Sequence, residues 1–118
     1  MKRPTRFYSH NQEKQVAKKL DGKVVANSGA TAFSKGDVRT KDWLIECKTC
    51  TTPKKSFSIK KEWLDKNNEE AFAMNKSYSA LAFDFGAGNN YYIVDEKTFI
   101  HMKEALEAYG NTDISSQV

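Results

Sequence analysis

The stretch from Asp37 to Cys50 constrains the fold more than any other part of the chain. Asp37–Thr40 and Trp43–Cys50 read as two strands joined by a tight turn around Lys41-Asp42. Successive side chains leave opposite faces of a strand. Trp43, Ile45, Cys47 and Thr49 therefore share one face, and Leu44, Glu46, Lys48 and Cys50 share the other. Closing the hairpin about Lys41-Asp42 sets Arg39 against Leu44, Val38 against Ile45 and Asp37 against Glu46. Two carboxylates directly opposite each other repel. Such a pair is expected where something positive sits between them, and a divalent cation held by oxygen ligands fits. Lys48 lies on the same face, two residues from Glu46.

The rest of the chain supplies a scaffold for that hairpin. Ser9 is placed to cap a helix running to about Leu20, and Lys23–Asn27 reads as a short strand. Ser28–Gly36 is a loop of small residues, and Ser56–Ile59 reads as a short strand or a helix lead-in. A helix is predicted over Lys60 to about Met74, with Ser58 as its cap. Ser79–Phe85 and Tyr91–Val94 read as strands around a Gly-Ala-Gly-Asn-Asn turn. Asp95 starts a last helix with Phe99, Met102 and Leu106 on one face. The order α-β-β-β-α-β-β-α predicts a single α/β domain over residues 1–118, with a central mixed sheet flanked by helices. Residues 1–6 read as a basic arm and 110–118 as a loose polar tail.

Glu13 adds a third carboxylate. It precedes Val16, Ala17 and Leu20 at helical spacing, which puts it on the side facing the sheet. A Glu on a buried face needs a partner. Charge is divided unevenly along the chain. Residues 1–61 hold 15 Lys or Arg against 5 Asp or Glu, whereas residues 62–118 hold 4 against 10. The basic half points to a polyanion partner, nucleic acid foremost. No run approaches the ~18 apolar residues a membrane span needs. Two cysteines do not make a disulfide scaffold, and an intracellular, cytoplasmic protein is expected. Cys47 and Cys50 are spaced CxxC, but on a strand their sulfurs face opposite ways, so they make a poor zinc pair.

Asp37, a short hairpin and then Glu46-Cys47-Lys48 resemble the D-(x)n-E-x-K motif of the PD-(D/E)XK nuclease superfamily, with Gly36 where the Pro usually stands. With a helix carrying Glu13, then Ser28-Gly29, the order is similar to that of the archaeal-type Holliday junction resolvases, a family phages also carry. The resemblance spans roughly residues 7–106, and its specific part lies within 13–48. It implies a restriction-endonuclease-like core and metal-dependent hydrolysis of DNA phosphodiesters, with Glu13, Ser28, Asp37, Glu46 and Lys48 as the catalytic set. Asp37, Glu46, Glu13 and the backbone carbonyl of Cys47 would hold Mg²⁺, for which Mn²⁺ would substitute; no organic cofactor is implied. Ser28 and Gly29 would meet the scissile phosphate. Lys2, Arg3, Arg6, Lys35, Arg39, Lys54, Lys55, Lys60 and Lys61 are the candidates for gripping the DNA backbone. The resemblance further implies a homodimer acting on four-way junctions, with Trp63, Phe72, Phe83, Phe85, Tyr91 and Tyr92 available to its core or interface. The competing readings are another nuclease of the superfamily, of restriction or repair type, and a non-catalytic DNA-binding protein with this fold.

Overall fold

The computed structural model describes residues 5–25 and 37–117. Helix α1 (Thr5–Leu20) is followed by strands β1 (Lys23–Val24), β2 (Asp37–Arg39) and β3 (Trp43–Thr49). Helix α2 (Lys61–Ala73), strands β4 (Tyr78–Asp84) and β5 (Asn90–Ile93) and helix α3 (Glu96–Gln117) complete the chain. The strands form one sheet in the order β1-β2-β3-β4-β5. All neighbours are antiparallel except β3 and β4, which run parallel. A parallel pair needs a crossover, and α2 supplies it. The chain is thus a single α/β domain with a mixed sheet.

The sheet is covered on both faces. Val16 and Ala17 of α1 pack on Val38, Ile45, Cys47, Ala80 and Ala82, which alternation places on one face. The opposite face carries Leu44, Leu81 and Phe83, all buried, beneath α2. Asn67 of α2 is also buried, and its Nδ2 donates to the carbonyls of Leu44 (3.3 Å) and Ala80 (3.1 Å). Those bonds fasten the helix across the parallel pair.

Several boundaries differ from the sequence expectation. Helix α1 begins at Thr5, so Ser9 sits inside it rather than capping it, and Thr5 and Arg6 belong to the helix rather than to an arm. Thr5 directly follows Pro4 in the sequence, and the first turn of a helix tolerates such a neighbour because its N–H groups have no intrahelical acceptor. Of the strand predicted over Lys23–Asn27, β1 covers Lys23–Val24 and the Val25 N–H donates to the Asp37 carbonyl at 2.9 Å, while residues 26 and 27 lie outside the described residues. Ser56–Ile59 is neither strand nor helix, and Lys60 rather than Ser58 stands at the N-cap of α2, without a side-chain cap. Helix α3 continues through Gly110 to Gln117 where a loose tail was expected. A glycine in a helix costs about 1 kcal/mol but ends it only when the chain turns left-handed. Only Gly86 and Gly88 have positive φ among the described glycines.

Candidate active site

The hairpin adopts the register expected from the alternation: Asp37 opposite Glu46, Val38 opposite Ile45, and Arg39 opposite Leu44. Directly opposed residues hold their Cβ atoms about 5 Å apart. Both acidic residues are buried, Asp37 at 4% exposure and Glu46 at 6%. Because Val38 and Ile45 face α1, alternation turns Asp37, Glu46 and Lys48 to the α2 side of the sheet.

Lys48 is half-buried there, with its Nζ 4.4 Å from the centroid of the Trp63 ring on α2. An ammonium over an aromatic face is held by the ring quadrupole, by ~0.5–2 kcal/mol according to its exposure. Trp63 in turn belongs to an aromatic row: its ring centroid is 6.1 Å from that of Phe57, which lies 4.6 Å from that of Phe83, the parallel neighbour of Lys48. The ammonium is therefore held between the strand and α2 rather than free to sweep through solvent.

Glu13 approaches from the other side. It is 5% exposed on α1, over the Cys47 face. Burial pushes its carboxyl above the usual value of 4.5, an effect only partly offset by His10, whose Nδ1 lies 3.6 Å away. Cys47 links the three acids electrostatically. Its thiol is pushed well up, first by burial and then by the charges of Glu13, Asp37 and Glu46. Cys47 is a free, buried thiol. Among the described residues, no three His, Cys, Asp or Glu side chains form a ready-made metal cluster. Mg²⁺ keeps several waters and needs only one or two carboxylates, so the Asp37–Glu46 pair is a donor set of the right kind on its own.

Gln12 was not singled out in the sequence, yet it positions this end of the molecule. Its Nε2 donates to the Lys48 carbonyl (2.8 Å) and to Asn90 Oδ1 (2.9 Å), with the Ala82 carbonyl at 3.3 Å. It ties α1, and hence Glu13, to β3, β4 and β5. The sequence signal for it is a polar residue four before Val16, on the apolar side of the helix.

The basic candidates divide. Lys54, Lys55 and Lys60 are exposed on the connection from β3 to α2, on the side to which Lys48 leads. Lys60 Nζ is 5.8 Å from the Trp63 ring, and exposed Lys61 is paired with Asp65 at 2.8 Å. Arg39 is exposed on the same face as Asp37 but about 7 Å nearer the hairpin turn. Lys2, Arg3, Ser28, Gly29 and Lys35, and the side chain of Arg6, lie outside the described residues. The Gly86-Ala87-Gly88 segment is a turn, its three N–H groups donating to Asp84 Oδ1 at 2.7, 3.1 and 3.2 Å. Of the aromatic candidates, Phe83 is buried, whereas Phe72 is 86% exposed. Among the described residues, no helix is long and apolar enough to cross a membrane.

No family model matches this chain, and neither does any curated protein or solved structure.

Proposed function

We propose that this chain is a divalent-metal-dependent DNA endonuclease of the PD-(D/E)XK type, and that its substrate is a four-way junction. One observation carries the reading: two buried carboxylates, Asp37 and Glu46, stand in register with each other, and Lys48 follows on the same face. Opposed buried acids are costly in a plain sheet and useful where a cation is held. A bound Mg²⁺ would supply an activated water and neutralise charge on the phosphate. Asp37 and Glu46 would hold it, with the Cys47 carbonyl as a further oxygen donor. Lys48, steadied by Trp63, would place its ammonium where negative charge develops on the phosphoryl oxygens. Glu13, on the far side of Cys47, would add negative charge and accept a proton or a water. Lys54, Lys55 and Lys60 would carry the flanking phosphates without reading sequence.

The preference for a junction rests on the resemblance of the ordered Glu13, Ser28, Asp37, Glu46 and Lys48 set to junction resolvases. The test is cleavage with Mg²⁺ of a synthetic four-way junction and a linear duplex of the same sequence, with Glu46→Gln as control. Paired symmetric nicks on the junction alone, lost in Glu46→Gln, are expected. Equal cutting of both substrates would keep the nuclease and remove the junction preference. Cutting of neither would overturn the reading.

A further inference from the structure

Lys48, Phe83 and Tyr91 stand side by side on three neighbouring strands. Phe83 is the parallel neighbour of Lys48 and the antiparallel partner of Tyr91, so all three side chains leave the same face of the sheet. Two strand spacings put the Tyr91 backbone about 10 Å from that of Lys48. Helix α2 lies over β3 and β4, and Tyr91 on the edge strand is left 60% exposed.

An exposed tyrosine alone is ordinary. This one closes a row of rings that starts at Lys48. Trp63, against the Lys48 ammonium, leads through Phe57 to Phe83, and Phe83 meets Phe85 at 4.6 Å between ring centroids. Phe85 meets Tyr91 at 5.8 Å with their planes 77° apart. That contact steadies the Tyr91 ring and still leaves most of the residue in solvent. Lysines flank the row. The Lys54 N–H donates to the Phe85 carbonyl at 2.9 Å, and a Cβ on Gly86 would fall 2.9 Å from Pro53 Cα. The connection from β3 to α2 is therefore pressed against the end of β4, and it carries exposed Lys54 and Lys55 to the same end of the sheet as Phe85.

Ring faces interleaved with ammonium groups suit a nucleic-acid strand whose bases are unpaired. Every base has a π face, and stacking on aromatic side chains beside a basic track is how single strands are held. Inside a duplex both faces of a base are covered by its neighbours. A base at a branch point has lost one such neighbour, which lowers the cost of turning it out. At ~3.4 Å per stacked nucleotide, a base within about three nucleotides of a phosphate at Lys48 reaches Tyr91. We propose that Tyr91 is a stacking platform for an unpaired base of the DNA strand whose phosphate lies at Lys48, with Lys54 and Lys55 on that strand's backbone. The strand's place at Lys48 rests on the nuclease reading above, whereas the stacking is measured without cleavage.

Tyr91→Ala and Tyr91→Phe in the full-length Glu46→Gln chain, which leaves DNA uncut, provide the test. Fluorescence anisotropy compares binding of a single strand of about 12 nucleotides with binding of the duplex of the same sequence. Tyr91 is mostly exposed, so the fold survives either change, and circular dichroism checks this. Tyr91→Ala is expected to weaken single-strand binding about tenfold or more and duplex binding by less than about twofold, with Tyr91→Phe at the parent affinity. Single-strand binding untouched by Tyr91→Ala, a loss shared by Tyr91→Phe or by the duplex, or a parent that binds no single strand would overturn the inference. Cleavage by the wild type is read separately, so failure of the platform and failure of the nuclease reading are told apart.

Discussion

At the start of β2, Asp37 and Glu46 are 4% and 6% exposed, whereas on α3 Leu106 and Tyr109 are both 68% exposed. One region hides charge and the other displays apolar surface. Each departs from the usual sorting of side chains between water and core. The hidden acids sit in a sheet interior, fixed by register and flanked by the packed faces of α1 and α2. The displayed apolar residues sit on a helix that Asp95 caps at its start. The first arrangement is rigid and suits a small, strongly bound cation. The second is open and suits a large, shape-matched partner. Departures from the folding rule of opposite sign point to different occupants.

The strongest way to break this comparison is to neutralise the hidden pair. Asp37→Asn or Glu46→Gln is expected to lower junction cleavage at least ~1,000-fold, about 4 kcal/mol of barrier, with junction binding kept. In chelator the same changes should raise stability by up to ~1 kcal/mol, because a like-charge pair is relieved. A gel-based rate assay and urea unfolding measure the two effects. Lost stability in chelator would show the acids to be structural.

Next in size, Lys48→Ala should slow cleavage roughly 100- to 1,000-fold while metal affinity changes little. Single-turnover rates and calorimetric metal titration separate the two effects. A large drop in metal affinity would place Lys48 in the fold of the pair rather than at the phosphate.

On the α3 side, Asp95→Ala removes the cap at the helix start and should cost about 1 kcal/mol. The Asp95 carboxyl is held below its usual value chiefly by its hydrogen bonds to Thr98. Its stabilising contribution is therefore present above that usual value and lost as pH falls through the lower folded one. Urea unfolding at neutral pH and in acid should show the cost only at neutral pH.

The smallest effect belongs to Glu13. Burial raises its pKa in the folded chain, so the folded state holds its proton longer than the unfolded state does. Its carboxylate then lowers stability as pH rises from about 4.5 through the folded value. Glu13→Gln should match the wild type in acid and exceed it at neutral pH. Thermal midpoints over a pH series check the crossing.

The hairpin register was legible because alternation and a tight turn leave few pairings for Asp37–Thr40 against Trp43–Cys50. The order of all eight elements was legible because turn residues such as Gly22 and Gly86-Ala87-Gly88 separate the apolar segments. Helix ends were less so. Ser9 has the chemistry of a cap, but a helix starts where its first turn is best accommodated, and here that is Thr5. Gly110 has the chemistry of a stop, yet it keeps α3 helical. Gln12 escaped notice, and Trp63 was read only as a core or interface residue, for a different reason. Their roles come from partners 36 and 15 positions away in sequence, Lys48 in both cases, and no local pattern encodes such a meeting. Ser28 and Gly29, singled out from the resemblance, fall outside the described residues.

The central claim is that the opposed pair Asp37–Glu46 holds a divalent cation. The most direct measurement is the thermal midpoint of the full chain, without DNA, titrated with Mg²⁺ and Mn²⁺, for the wild type and Glu46→Gln. At a hundred times the dissociation constant, binding to the folded state alone adds ~2.7 kcal/mol. The account predicts a saturable rise in the wild type and none in Glu46→Gln. A wild-type midpoint indifferent to both metals, or an equal rise in both proteins, would contradict it.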